Sequence, residues 1–371
     1  MKCLKPHRSL AFLCFAAVIL CTLYLIPSPA RAAEHTGTTV TPLVGNWINS
    51  GNIILRAVTV PGAMYTDGVG QDLVNTAEGY IKSKGVLQTG MAALHTNSVL
   101  TNRGSINIYG EEADGMHMKV ASTGYNYGTI TMAGALRNRC MYAEAASTAI
   151  NYGTIYNNEQ GAGMWAEAST LENRGSIYTR LDDIRGIHGE SSSTLTNWGT
   201  ITTQGESAYA LSGIDSTLTN YGTITASGFG AFVGAGSIMN NSGTVINTNH
   251  AVLISASATL TNTGTIAAYD AGKRAISAQT NSQVYLKTGT NILAGSVHDA
   301  DGTNALYLVG SGTVNFDITG NWAEFHKAEA GTWALTRDVA AQAFSLDDGT
   351  LTLNSGVHLS GNTYTQASAV R

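Results

Sequence analysis

Thr217-Leu218-Thr219-Asn220-Tyr221-Gly222-Thr223-Ile224-Thr225 holds an alternating polar and apolar run, a short break, and a second alternating run. Period-two alternation sets the apolar side chains on one face of a strand and the polar ones on the other. The break, Asn-x-Gly, uses two residue types that tolerate the left-handed backbone of a tight turn. The nonapeptide therefore predicts strand, turn, strand.

The pattern Asn-x-Gly-(Thr/Ser/Asn)-(Ile/Val) occurs nine times, starting at Asn49, Asn102, Asn126, Asn151, Asn173, Asn197, Asn220, Asn241 and Asn262. From Asn102 the steps are 24, 25, 22, 24, 23, 21 and 21 residues, and the 53-residue gap before it holds a degraded copy from Asn75 to Ile81. Fixed periods of this size mark stacked repeats. A further alternating run follows the turn, as in Ala208-Tyr209-Ala210-Leu211 and Ala251-Val252-Leu253-Ile254. Two or three short strands per coil of about 21–25 residues predict an all-β fold, a parallel β-helix or β-solenoid. Neither a Leu-x-x-Leu-x-Leu signature nor a 3.6-residue period is present to support a leucine-rich or helical repeat.

Stacking turns equivalent positions into columns, with strands about 4.8 Å apart. The column Ile106, Ile130, Ile155, Ile177, Ile201, Ile224, Val245 and Ile266 is the expected spine of the core. Leu171, Leu195, Leu218 and Leu260 are expected on the same inner side. The asparagines are expected to form a ladder of side-chain amides that satisfies polar groups at the bend.

Composition agrees. Charged residues make up 12% of the 371, against roughly 25% in soluble proteins, and there are 42 Gly and only 5 Pro. A net charge of −5 excludes the basic footprint of nucleic-acid binding. At the N-terminus, Lys2, Lys5 and Arg8 precede an apolar run from Leu10 to Ile26, broken by Thr22, and then Ala30-Arg31-Ala32. That is the layout of a cleaved signal peptide over 1–32. Cys3, Cys14 and Cys21 fall within it, leaving Cys140 alone, so the exported part is expected to have no internal disulfide and no cysteine zinc site. The expected domains are the signal peptide (1–32), the repeats (33–300) and C-terminal coils (301–371).

With these features the chain resembles the passenger domains of autotransporters, of the adhesin-like kind with recurrent Asn-x-Gly-Thr-Ile coils, over roughly residues 45 to 365. Gly331-Thr332-Trp333-Ala334-Leu335 and the run Phe344 to Leu353 resemble the passenger end that aids folding during export. The resemblance implies a right-handed β-helix and a C-terminal β-barrel translocator. That barrel is missing from this chain, which stops at Ala369-Val370-Arg371. Export through the inner membrane is expected, then cell-surface or extracellular display if a translocator serves the chain, and a periplasmic location otherwise.

No catalytic motif is present: no Gly-x-Ser-x-Gly elbow, no His-Glu-x-x-His helix, no phosphate loop and no dinucleotide fingerprint. No cofactor or metal is expected. β-Helix polysaccharide enzymes, however, assemble carboxylates from separate coils. Glu111, Glu112 and Asp114, with Asp182 and Asp183 between Arg180 and Arg185, are the acidic patches that a lyase or hydrolase would use. Aligned coils give a second candidate. His117, Tyr142, Trp165 and His188 occupy one position in four successive coils, and Lys119, Glu144, Glu167 and Glu190 lie two residues on. Met116, Met141, Met164 and Ile187 are expected inward, so the aromatic and charged columns point out. Stacked glutamates repel by roughly 1 kcal/mol per pair in water, a cost that Lys119, a bound cation or a basic ligand would relieve. Exposed rings beside carboxylates suit a sugar or a peptide side chain. The ribbon Arg103, Tyr127, Tyr152, Arg174, Trp198 and Tyr221 at the turn is a further candidate surface. These features predict a non-enzymatic, adhesin-like or surface-structural rod whose partner is a host-cell or matrix glycan or protein. A secreted β-helix polysaccharide lyase or hydrolase is the alternative.

Overall fold

The computed structural model describes residues 33–35, 38–39, 42–55, 62–134 and 137–367. The expected signal peptide over 1–32 lies outside them. Among the described residues there is no helix. Short strands stack into three long parallel sheets of 17, 12 and 13 strands, called here sheets 1, 2 and 3, which wrap one core as a β-solenoid.

One coil explains the rest. Thr194–Asn197 lies in sheet 1, Thr200–Thr203 in sheet 2 and Tyr209–Gly213 in sheet 3, and the chain then returns to sheet 1 at Thr217–Asn220. Successive coils pair in register, so Asn197 sits over Asn173 and Ile201 over Ile177. The Ile/Val and Leu columns are fully buried, as the alternation requires. Each buried Ile or Leu contributes roughly 1.5–3 kcal/mol. At Gly124 the Leu column is interrupted, because a Cβ there would lie 2.4 Å from the Met118 sulfur that fills the space.

The asparagine ladder forms from end to end. Each amide nitrogen donates to the amide oxygen of the next coil, from Asn49 to Asn75 (2.7 Å), Asn102, Asn126, Asn151, Asn173, Asn197, Asn220, Asn241 and Asn262. The degraded copy therefore carries a full rung at Asn75. The turn glycine acts differently from expectation. Gly128, Gly153 and Gly199 do not have left-handed backbones. A Cβ on any of them would lie 2.0 Å from the carbonyl oxygen of the turn glycine one coil below, so glycine is needed for close stacking.

Left-handed backbone occurs instead at the other corners, in residues with side chains: Glu112, Arg137 and Asp183 between sheets 2 and 3, and Ala145 and Ala146, Ser191 and Ser192, Ala256 and Ser257 where sheet 3 returns to sheet 1. Such conformations cost about 1–3 kcal/mol each and persist only when the surroundings impose them. A buried serine column beside the second group supplies part of that constraint. Ser122, Ser147 and Ser169 each donate a backbone N–H to the hydroxyl of the serine one coil on, at 3.1–3.3 Å.

Towards the C-terminus the frame changes. Sheet 2 ends at Asn291–Ala294 and sheet 3 at Ile318–Thr319, while sheet 1 continues through Trp322–Ala328 and Val339–Leu346. A three-stranded sheet of Gly312–Val314, Thr332–Leu335 and Thr350–Leu353 takes over the second wall. Its core is aromatic, with Trp322, Phe325, Trp333 and Phe344 buried. Lys327 is buried among them, its ammonium donating to the carbonyls of Ala328, Glu329 and Asp348 at 3.0, 2.6 and 3.2 Å.

Candidate functional site

Sheet 3 places the predicted column in register: His117 beside Tyr142, Tyr142 beside Trp165, Trp165 beside His188. Glu144, Glu167 and Glu190 form the neighbouring column. Met116, Met141, Met164 and Ile187 are buried in the core, as expected. The exposure of the outer column differs from expectation. Tyr142 is only 5% exposed and His188 only 1%, so neither presents a free ring to solvent.

For Tyr142 the cause lies three residues earlier in the strand. Gly115 and Met116 are both buried, which breaks strict alternation and brings Asp114 onto the outer face with His117. The equivalent positions in the next coils are Arg139, Ala162 and Arg185. Arg139 lies over the Tyr142 ring at 3.6 Å and donates from Nε to Asp114 Oδ1 at 2.7 Å and from its terminal nitrogen to Asp114 Oδ2 at 3.2 Å. Burial alone would lower the Arg139 pKa, and Asp114 more than offsets it.

His117 bridges two carboxylates, with Nδ1 3.3 Å from Asp114 and Nε2 3.2 Å from Glu144. Its ring packs on Tyr142 at 4.5 Å. Burial outweighs both carboxylates and lowers its pKa. Glu144 also accepts from the Tyr142 hydroxyl at 2.8 Å and pairs with Lys119 at 3.3 Å. Burial would raise the Glu144 carboxyl, but Tyr142, His117 and Lys119 bring it below the usual range. His188 bonds Ser212 Oγ through Nδ1 and Glu190 through Nε2, both at 2.8 Å, and burial lowers its pKa to about 4. Two of the three stacked glutamates are thus engaged by neighbouring side chains. Among the described residues no group of His, Cys, Asp and Glu is placed to hold a metal ion.

Beside this network lies a cleft of about 600 Å³, lined by Glu112, Arg137, Arg139, Trp165, Asp183 and Arg185, with Leu87, Gln160 and Gly161. It draws one residue from each acidic patch, Glu112 and Asp183. Asp114 is instead buried against Arg139, and Asp182 accepts the Glu206 N–H at 2.6 Å. Arg137 pairs with Glu112 at 3.6 Å. Arg185 lies over the Trp165 ring at 5.3 Å. Trp165 meets His188 edge-on at 4.4 Å, and its indole N–H is shielded from solvent with no partner. Trp165, Glu112, Asp183 and Arg185 were visible in the sequence as separate candidates. Arg139 was not, because nothing marked it as sharing a face with Tyr142.

The turn ribbon is exposed but occupied by itself. Tyr127 and Tyr152 stack at 4.9 Å and 4°, with Arg103 over the first and Arg174 over the second. Trp198 and Tyr221 stack at 4.0 Å. Rings stacked along the axis spend their faces on one another and turn their edges outward, which stabilises the corner and leaves little flat surface for a sugar.

A family model described as the BigA third pectate lyase-like domain matches residues 31–197. The match spans the coils that build the cleft. No curated protein and no solved structure matches the chain.

Proposed function

We propose that the protein is an exported, non-catalytic β-solenoid of the adhesin-like passenger type, which binds a host-cell or matrix glycan or protein through the sheet 3 cleft. The observation that carries this is the cleft itself, a concavity of about 600 Å³ with Trp165 and charged side chains converging in its lining. Concave sites with an aromatic wall and a few placed polar groups are where ligands bind. The similarity of residues 31–197 to a pectate lyase-like domain model supports a carbohydrate-facing role. Surface display rests on the signal-peptide pattern and requires a β-barrel translocator. Binding of the purified protein to immobilised glycans and matrix proteins tests the reading, with Trp165→Ala as the control. Equal binding by the variant would remove the cleft from the function.

A second reading has its own observation. Glu112 and Asp183 come from different coils and line the same cleft, and glycosidic-bond cleavage uses two carboxylates that flank the bond. Release of new chain ends from a polysaccharide, abolished by Glu112→Gln and by Asp183→Asn, would establish it in place of pure binding.

A further inference from the structure

The charges of the cleft are not equally committed. Arg139 is held bidentate by Asp114, and Arg137 pairs with Glu112. The Arg185 side chain makes no ion pair and no hydrogen bond among the described residues; it lies over the Trp165 ring and within electrostatic reach of His188. It is partly buried. A guanidinium in that setting has lost part of its hydration and has no acceptor in return, which leaves five N–H donors in a planar fork suited to an oxyanion. The coil between Arg139 and Arg185 contributes only the Ala162 methyl at this position. No bulky side chain therefore separates the two arginines or covers Trp165 from that strand position. Asp183 on the rim is exposed and remains hydrated.

Resting on the glycan-binding reading, we propose that the cleft takes an anionic sugar residue, with Arg185 gripping its carboxylate or sulfate and Trp165 packing against its ring. Arg139 is a wall of the site and not its anchor, because Asp114 already occupies its fork. Selectivity then belongs to one residue: a neutral sugar of the same shape meets the aromatic wall but leaves Arg185 without an acceptor.

The test is calorimetric titration of the full protein with three oligosaccharides of one backbone: carboxylated, carboxyl-reduced and sulfated. The charged forms are expected to bind roughly tenfold or more tighter than the reduced one, from a single charge-assisted contact. Arg185→Gln is expected to erase that margin, so that the charged forms bind no tighter than the reduced one. Asp183→Asn is expected to strengthen binding of the charged forms, and adding a chelator to change nothing. The carboxylated and sulfated arms decide which oxyanion the site prefers. Equal affinity for charged and reduced forms, or a margin that survives Arg185→Gln, would overturn the anchor and leave the glycan reading standing. A margin that vanishes with chelator would assign the anion to a cation instead. Absence of binding to any of the three would overturn both.

Discussion

Replacing one amide in the middle of the asparagine ladder tests the account of how this solenoid holds its coils in register. Asn173 is fully buried and accepts from Asn151 Nδ2 at 2.8 Å. Its own nitrogen donates to Asn197 Oδ1 at 2.8 Å, to Gly175 O at 3.4 Å and to Thr200 O at 3.3 Å. Asn173→Ala removes all of these bonds. At about 1 kcal/mol net for each of the two inter-amide bonds, plus about 1–3 kcal/mol for leaving Asn197 Oδ1 buried without its donor, the loss is about 3–5 kcal/mol. Asn262→Ala, at the end of the ladder, deprives only one neighbouring amide and is expected to cost about 2 kcal/mol. Asn173→Asp is the sharper variant, since it keeps the shape, loses the donors and sets a carboxylate against the Asn197 oxygen. Burial raises the folded-state pKa of the introduced carboxyl above its unfolded value of about 3.9. The penalty is therefore small below that pH, grows as pH rises, and levels off above the folded-state pKa. Denaturant melts across pH, with hydrogen exchange of the flanking coils, read all three variants. A cost below about 1 kcal/mol for Asn173→Ala, or an Asn173→Asp penalty that does not change with pH, would refute the ladder as a source of stability.

Gly199→Ala is expected to destabilise by about 3 kcal/mol or more in the same melts, because its Cβ would meet the Gly175 carbonyl at 2.0 Å and backbone must move. If the glycine served only backbone freedom, the cost would be about 1 kcal/mol. His188 stays neutral to about pH 4 in the folded state, whereas in the unfolded chain it takes a proton near pH 6.5. The unfolded state thus binds more protons between those values, and stability is expected to fall, by no more than about 3 kcal/mol, as pH drops through that window. His188→Gln should flatten the slope there, and an identical slope in the variant would assign it to other groups. Lys327→Met leaves the carbonyls of Ala328, Glu329 and Asp348 without their donor. It is expected to cost about 3 kcal/mol, seen as faster hydrogen exchange across Trp322–Ala328 and Val339–Leu346, with the coils before Asn262 unaffected.

The fold was legible because stacking imposes one chemistry on each column. Asn102 to Asn262 and Ile106 to Ile266 recur at fixed offsets, and the sheets pair them as the offsets require. The serine column escaped notice for the opposite reason. Ser is frequent in every row of this chain, so Ser122, Ser147 and Ser169 did not stand out as buried partners. The left-handed corners were equally hidden, since Ala145, Ala146 and Ala168 adopt them without glycine. Local propensity disfavours such residues, and only contacts from neighbouring coils impose the conformation. The turn glycine carries a signal whose cause is not local. Its spacing was right, but the constraint comes from Gly175 one coil below Gly199 and not from the local backbone.

The candidate site shows where column reasoning stops. A perfect repeat makes a flat or evenly ridged wall, so a concavity needs coils that depart from their neighbours. Here the outer position that precedes the aromatic column reads Asp114, Arg139, Ala162, Arg185, Tyr209 and Phe229. Period alone does not distinguish Ala162 from the others, yet it is the short member between two arginines. The same row decides exposure. A charged neighbour with a partner of its own, Arg139 with Asp114, lies flat and buries Tyr142. Arg185 has no such partner and leaves the Trp165 side bordering the cleft. Whether an outward ring is a wall of the molecule or a wall of a site thus depends on how the charge beside it is satisfied. That pairing joins residues some 25 positions apart, as in Arg139 and Asp114. It is a property of the stacked coils and not of any one repeat, so a ligand able to satisfy Arg185 would meet a position in this row where a cation has no carboxylate partner.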